Sequence, residues 1–267
     1  MKLELALLSL LTAPIAAAQT ATLDVYAAGS LRGPLTEIAN LYGRQTGVEV
    51  KAVFNPAGLL RERIEKGERP DVFASAELAH PEKLRQQNLA ETVTVFVRNS
   101  MCAVAAPRLA VTTETLLERL LDPAVKLAIG QPGPDPMGDY AVEVFNRASS
   151  LRAGSSDILK EKAQPLIGGG PQSPPVPEGQ SAIPYFLQSG RADVFLVYCS
   201  VAKSAIGRDP SLRQIEVPPE LAVASSYGMT VLRGAKPQAQ AFAAFVLSEP
   251  AQEIFEQHGF SRLPKSP

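Results

Sequence analysis

The chain has 267 residues, of which 45% are hydrophobic and 20% are charged, and its 26 basic and 27 acidic residues give a formal net charge of −1. These values are typical of a globular protein with one large domain or two small ones. A net charge near zero argues against nucleic acid or an anionic membrane surface as the main partner.

The first residues have the order of a secretory signal peptide. Lys2 precedes an apolar stretch over 5–11, and three alanines follow at 16–18, which matches a charged end, an apolar core and a small-residue cleavage site. We predict export with cleavage after Ala18, and the alternative is a buried N-terminal helix. No later stretch approaches the roughly 20 apolar residues that span a bilayer.

Strand and helix patterns alternate after the signal. Apolar runs rich in β-formers predict strands over 22–29, 48–54 and 70–76, and amphipathic stretches predict helices over 30–47, 58–68 and 80–89. Pro34 fits only in the first turn of the first helix, and Gly47 is its predicted end. The β-rich run over 91–106 is longer than an average strand and is suited to cross between two lobes.

The same alternation continues to the end of the chain. The patterns predict a helix over 112–123, a strand over 126–130, a helix over 135–150, a Gly/Pro-rich loop over 168–180, a helix and a strand over 181–200, a strand over 226–234, and two helices over 237–260 broken at Pro250. Alternating strands and helices predict an α/β fold with parallel strands and helices on both faces. A long strand near 95–105 and a return near 215–230 suggest two lobes with a cleft between them.

Two cysteines, Cys102 and Cys199, lie in apolar, strand-like runs. An even number of cysteines in an exported chain permits a disulfide, and we expect one here, with two separate buried thiols as the alternative. The cysteine spacing does not suit a zinc site, and neither histidine has a partner nearby in sequence, so we expect no metal site.

Four turns that lead into predicted helices are candidates for ligand binding. They lie at 27–31, 54–60, 134–141 and 177–183; none of them contains a lysine or arginine, and Arg32 directly follows the first. The first N–H groups of a helix lack intrahelical partners and carry partial positive charge, which binds anions. Neutral donors of this kind fit a small desolvated oxyanion, and the alternative for each turn is plain helix capping.

A hydrolase is the alternative class of function. The chain contains no G-x-S-x-G or H-E-x-x-H motif, and it has only two histidines. Asp135 and Asp139 are close in sequence, but capping of the following helix explains Asp139 without catalysis. We therefore expect a binding protein that is not an enzyme and that uses no cofactor.

Several segments together resemble the periplasmic molybdate-binding proteins of ABC transporters. They are "LDVYAAGSL…EIANLYGRQTGVEV", "LLRERIEKGERPDVFASAE", "DYAVEVF", "ADVFLVYCSVA" and "AQEIFEQHGF", and they occur in the family's order over nearly all of the mature chain. The resemblance implies a type II periplasmic binding fold with two lobes, each a mostly parallel sheet flanked by helices, and a ligand in the interlobe cleft. It also implies a periplasmic monomer that delivers molybdate or tungstate to an inner-membrane permease.

The resemblance assigns limits to the lobes and residues to the site. The predicted segments are the signal peptide over 1–18, lobe 1 over 19–97, lobe 2 over 98–225, and a return to lobe 1 over 226–267. The predicted ligand-binding residues are Ser30, Asn55, Ala57, Gly58, Met137, Gly138, Gln180, Ser181 and Tyr198.

The chain departs from the family pattern at three of these positions. Ala57 lies in the turn where the family has a second serine, Met137 is larger than the residue expected there, and Tyr198 is followed by Cys-Ser instead of a glycine-containing turn. The loss of one hydroxyl from a buried anion site costs roughly 1.5–3 kcal/mol, or about ten- to over a hundredfold in affinity. Sulfate, another oxyanion or a small organic anion is therefore the alternative ligand.

Overall fold

The computed structural model describes residues 21–263, so the predicted signal peptide lies outside the described residues. The strands are β1 (Thr22–Ala28), β2 (Glu49–Asn55), β3 (Val72–Ser75), β4 (Thr94–Ala105), β5 (Leu127–Gly130), β6 (Gln164–Ile167), β7 (Val194–Tyr198), β8 (Arg213–Glu216) and β9 (Ala224–Val231). The α-helices are α1 (Arg32–Thr46), α2 (Ala57–Glu65), α3 (Ala79–Gln86), α4 (Leu116–Leu121), α5 (Pro136–Leu151), α6 (Ser155–Lys162), α7 (Ala182–Gln188), α8 (Cys199–Arg208), α9 (Gln238–Val246) and α10 (Glu249–Gln257). The fold is α/β, as predicted.

The strands form one continuous mixed sheet in the order β2-β1-β3-β9-β4-β7-β5-β6, with β8 also paired to β4. Parallel pairing joins β1 to β2 and β3, and it joins β5 to β6 and β7. The antiparallel pairings all involve β4 or β9. The predicted parallel sheets are therefore present on both sides, and the two strands between them run antiparallel to their neighbours.

Strand β4 belongs to both halves of the sheet. Residues 94–100 pair with β9, whereas residues 101–105 pair with β7 and residues 102–105 also pair with β8. We call the part with β1, β2, β3 and β9 lobe 1, and the part with β5, β6, β7 and β8 lobe 2. The long strand predicted from the sequence thus crosses from one lobe to the other without a turn.

The ends of the helices follow the sequence signals. Gly47 is the C-cap residue of α1. Its φ of 74° is the left-handed conformation that terminates many helices. Pro250 lies in the first turn of α10, where its missing N–H has no helical partner in any case. The break between the two closing helices is therefore at the predicted place.

The core is one contiguous set of buried apolar side chains that extends through both lobes. The largest fully buried members include Phe73, Phe96, Phe145, Phe195 and Phe255. Within residues 21–263, no helix combines the length and the apolar character that a bilayer crossing needs.

Candidate functional site

A cavity of about 560 Å³ lies between the lobes, where β1, β2, β5 and β7 lead into helices. Its lining includes residues from the N-terminal turns of α2, α5, α7 and α8 and from the 3-10 turn before α1. The carboxyl ends of strands are the usual ligand-binding edge of an α/β sheet. The four predicted turns therefore meet around one space.

Six of the nine predicted site residues line this cavity. They are Ser30, Asn55, Ala57, Met137, Ser181 and Tyr198. Ala57 has no hydroxyl, and Met137 is a large residue that is only 6% exposed. Because both line the cavity, these two departures from the family pattern lie in the same cavity as Ser30.

The other three predicted residues lie outside the lining. The N–H of Gly58 donates to the carbonyl oxygen of Pro134 at 3.0 Å, so this amide is already occupied. Gly138 packs against β5, because a Cβ at this position would lie 2.5 Å from the carbonyl oxygen of Gly130. Gln180 is exposed, and its N–H donates within the preceding turn to Pro177 at 3.1 Å. We therefore drop these three residues from the proposed contacts.

Ser30 belongs to a hydrogen-bond network that joins the two lobes. Its hydroxyl oxygen lies 2.8 Å from the hydroxyl of Tyr227, and the side-chain amide of Asn99 donates to Tyr227 at 3.3 Å and to Ser200 at 2.7 Å. Tyr227, Asn99 and Ser200 are all buried. The network thus connects the 3-10 turn before α1 with β9, β4 and the first turn of α8.

The hydrogen bonds of Asn99 determine how the protons of this network are arranged. Its side-chain oxygen accepts from the N–H of Ser100 at 3.0 Å, so its NH₂ group points toward Tyr227 and Ser200. The Tyr227 oxygen accepts from Asn99, and either oxygen of the Tyr227–Ser30 pair can be the donor. When Tyr227 donates to Ser30, the hydroxyl proton of Ser30 is free to be donated into the cavity.

The two buried tyrosines are neutral donors over the physiological pH range. Burial raises the pKa of Tyr198 well above its ordinary value, and burial likewise raises the pKa of Tyr227. Tyr198 lines the cavity, and its hydroxyl makes a long contact of 3.5 Å to the carbonyl oxygen of Ala76. Ser225 also interacts with the Tyr198 hydroxyl, and the long bond to Ala76 is one that a ligand oxygen can replace.

Helix α8 supplies a fifth helix N-terminus that the sequence analysis missed. It begins directly after β7, with Tyr198 as its N-cap residue and Ser200 in its first turn. Both residues line the cavity. The absence of any loop between strand and helix hides this boundary in the apolar run "VFLVYCS".

The predicted disulfide forms next to this helix end. Cys102 in β4 and Cys199, the first residue of α8, are bonded, with a Cα–Cα distance of 4.9 Å. Glu216 is close to both sulfurs, but sulfurs in a disulfide are not thiolate metal ligands. The bond therefore fixes the start of α8 to the strand shared by the two lobes.

The start of α5 differs from the prediction. Asp135, and not Asp139, is the N-cap residue, because its carboxylate accepts from the N–H of Met137 at 3.1 Å. Asp139 instead accepts from the N–H of Gly133 at 2.8 Å. The pKa of Asp135 is raised to about 7, because burial and, to a smaller extent, the charge of Asp139 outweigh the N–H of Met137, which lowers it. The positive end of α5 is thus already occupied by its own carboxyl group.

The cationic side chains of the cavity are close to solvent. Arg32 and Arg208 are exposed, and His258 is half-buried with its Nε2 3.2 Å from Glu37. The guanidinium of Arg32 stacks 4.8 Å from the centre of the Phe54 ring. The polar groups in the deep part of the site are therefore hydroxyls, amides and one carboxyl group.

Comparison with known proteins gives a family match over nearly the whole described chain. The bacterial extracellular solute-binding protein family matches residues 23–261. An uncharacterised protein of Pasteurella multocida is 33% identical over 76% of this chain and 84% of its own length. The molybdate-binding protein ModA of Escherichia coli is 26% identical over 96% of this chain and 95% of its own length.

Solved structures show the same fold. The sulfate-binding protein SubI of Mycobacterium tuberculosis superposes with a TM-score of 0.75, covers 92% of this chain and 88% of its own, and is 16% identical. The two-lobed arrangement predicted from the sequence is therefore confirmed as the fold of periplasmic binding proteins.

Proposed function

Because the chain belongs to the bacterial extracellular solute-binding protein family, we propose that it binds a small tetrahedral oxyanion, molybdate or tungstate, for an ABC importer. The observation that carries this proposal is the hydroxyl of Ser30, which lines a cavity where several helix N-termini meet and can donate to an anion while it accepts from Tyr227. The similarity to the Escherichia coli molybdate-binding protein supports the same ligand class.

Neutral donors suit such an anion for a physical reason. A hydroxyl or amide donates a directed hydrogen bond to an oxyanion, and a charge-assisted bond of this kind contributes roughly 1.5–3 kcal/mol. In the proposed complex Ser30, Tyr198 and Ser200 donate hydroxyl protons, and the N-termini of α2 and α8 add their backbone dipoles. Asn55 and Ser181 complete the proposed contacts. Ala57 contributes its backbone, and Met137, whose N–H already donates to Asp135, contributes only its shape.

The family supplies the rest of the proposed role. A solute-binding protein delivers its ligand to a membrane permease, and we propose that this chain does so as a periplasmic monomer after loss of its signal peptide at Ala18. We propose lobe limits near residues 97 and 225. The change of strand partners in β4 between residues 100 and 101 supports the first of these limits. The family consists of binding proteins, and we propose no catalytic role.

A small organic anion is the second candidate ligand. A cavity of about 560 Å³ lies within the range of about 300–1,000 Å³ that holds a small organic molecule, and it exceeds what one tetrahedral oxyanion fills. Arg32 and Arg208 at the cavity could then contact a second charged group. The missing hydroxyl at Ala57 favours the same alternative.

Thermal unfolding with a panel of anions tests the two candidates. A ligand that binds only the folded state stabilises it by about 2.7 kcal/mol at 100 times its Kd, which raises Tm by roughly 5–10 °C in a protein of this size. We expect this shift with micromolar molybdate or tungstate and little shift with phosphate or sulfate. A shift only with phosphorylated or carboxylated organic anions would establish the second candidate instead.

A further inference from the structure

Asp135 is the one acidic side chain among the described residues that line the cavity. An ionised carboxylate can only accept hydrogen bonds, and it repels a bound dianion. One of its oxygens, Oδ1, accepts from the N–H of Met137 at 3.1 Å. Its presence in the same cavity lining as Ser30 and Tyr198 therefore conflicts with anion binding unless it carries a proton.

The fold holds this carboxyl group in place. A Cβ at Gly168 would lie 2.1 Å from Oδ2 of Asp135, and a Cβ at Gly130 would lie 2.9 Å from the same atom. Gly168 also has a φ of +79°, which disfavours other residues. Two glycines thus leave room for Oδ2, and the side chain is a built part of the cavity wall.

No cation neutralises Asp135 within the described part of the chain, where it makes no ion pair. The titratable groups that act on it are acidic: Asp139 on its own helix, the phenol of Tyr198 on β7 and that of Tyr227 on β9. Further groups nearby or across the cavity are Tyr140, Glu77 with Arg61, Arg32, Arg208 and His258. Burial without a counterion raises the pKa of Asp135 to about 7.

We propose that Asp135 takes up one proton from solvent when the anion binds, and that its neutral carboxyl group then donates a hydrogen bond to a ligand oxygen. This inference rests on the proposed function. One O–H bond forms on Oδ2 or Oδ1, and the ligand keeps its own charge. Because linkage is reciprocal, protons strengthen anion binding as much as the anion strengthens proton binding.

Calorimetric titration with molybdate at pH 6 to 9 tests this linkage. For the wild type we expect Kd to rise about tenfold for each pH unit above about 7, with uptake of one proton measured in buffers of different ionisation enthalpy. In Asp135→Asn the side-chain NH₂ group donates a hydrogen bond without taking up a proton from solvent, so Kd should be independent of pH. Asn also remains a good N-cap residue, so this variant should fold.

Asp139→Asn is the matched control, because Asp139 is on the same helix but does not line the cavity. In this variant Kd should still rise about tenfold for each pH unit. The rise should begin at a lower pH, because the Asp139 charge that raises the pKa of Asp135 is removed. Infrared spectroscopy tests protonation of Asp135 directly in the wild type. The band of a protonated carboxyl group should appear when molybdate is added at pH 8.

The outcomes separate this inference from the proposed function. Binding of molybdate without a pH slope, or a slope that persists in Asp135→Asn, would overturn proton uptake at Asp135 and leave the ligand assignment intact. Absence of molybdate binding by the wild type at every pH would overturn both. Proton uptake on binding without the infrared band of a protonated carboxyl group would show that the ligand, and not Asp135, carries the proton, which also overturns the inference.

Discussion

The backbone N–H of Gly58 at the start of α2 donates a 3.0 Å hydrogen bond to the carbonyl oxygen of Pro134, which lies before α5 in the other lobe. A Cβ at residue 58 would lie 2.9 Å from this oxygen and 3.1 Å from the carbonyl oxygen of Gly133. The two lobes therefore meet backbone to backbone at this point, and only glycine permits the contact.

We predict that Gly58→Ala weakens ligand binding by hindering closure. The methyl group must push the two backbones apart and break a hydrogen bond of about 0.5–1.5 kcal/mol, so Kd should rise at least about two- to tenfold. Alanine favours the helix that begins here, so the unliganded protein should stay folded. Kd from calorimetry and the radius of gyration with and without ligand measure the effect.

Gly207→Ala is the control for this substitution. Gly207 lies in α8, and a Cβ at this position would meet no other part of the described structure within 4 Å. This variant should bind as the wild type does. An unchanged Kd and an unchanged compaction on binding in Gly58→Ala would show that the contact has no part in closure.

We predict that Ser30→Ala reduces oxyanion affinity by about ten- to over a hundredfold, because it removes a charge-assisted hydrogen bond. The free energy of unfolding should fall by only about 1 kcal/mol, since the buried Tyr227 hydroxyl loses one partner. Calorimetry and urea unfolding measure the two quantities separately.

Ser204→Ala discriminates between the two candidate ligand classes. Ser204 lines the same cavity but is exposed, so a small oxyanion held at Ser30 should not contact it. Equal losses of affinity in Ser204→Ala and Ser30→Ala would contradict a small ligand bound at Ser30 alone.

We predict that the disulfide contributes substantially to stability. It joins residues separated by 97 positions, and removal of a native disulfide costs about 2–5 kcal/mol. Intact-mass analysis should show alkylation of Cys102 and Cys199 only after reduction, and urea unfolding should show a lower midpoint for the reduced protein. Alkylation of both cysteines without reductant would contradict the bond in the native protein.

We predict an acid-sensitive contact at Asp71, which is 4% exposed. Its carboxylate accepts from the N–H of Asp24 at 2.8 Å, the N–H of Lys236 at 2.9 Å and the Lys236 ammonium at 3.0 Å. Burial raises the pKa of Asp71, but these three donors outweigh it and hold the pKa below its ordinary value of 3.8. The contribution to stability is therefore fully present above about pH 4 and is lost as pH falls through the lowered value.

Asp71→Asn should lower the free energy of unfolding by about 1–3 kcal/mol at pH 7 and by less at pH 3. Urea unfolding at both pH values measures this difference. Asp24→Asn is the control, because the Asp24 carboxylate is exposed and its ion pair with Lys236 should contribute little. Equal effects of Asp71→Asn at both pH values would rule out the carboxylate as the cause.

Much of the fold could be predicted because its local signals are strong. The apolar runs of β1 and β7 and the helix end at Gly47 follow directly from the sequence. Four elements were missed: α6, β6, α8 and β8. Strand β8 has the charged sequence "RQIE" with only Ile215 buried, and α8 lacks both a loop before it and a side-chain cap, so neither carries a recognisable signal.

The site was harder to predict because its contacts join distant parts of the chain. Tyr227 is 197 residues from Ser30 and 128 from Asn99. Their sequence surroundings read as ordinary strand, so only the sheet order brings them together. Gly58 lies in a turn with the pattern of an anion-binding site, because the N–H groups at a helix start lack intrahelical partners. In the structure its N–H donates to the carbonyl oxygen of Pro134 in the other lobe.

The shared strand β4 has a consequence for how the molecule unfolds. Lobe 1 and lobe 2 pair with consecutive segments of this one strand, so loss of either lobe would leave its segment of β4 without strand partners. Cys102 in this strand also anchors α8 covalently. The two lobes should therefore melt as a single cooperative unit, with one calorimetric transition whose van't Hoff and calorimetric enthalpies agree.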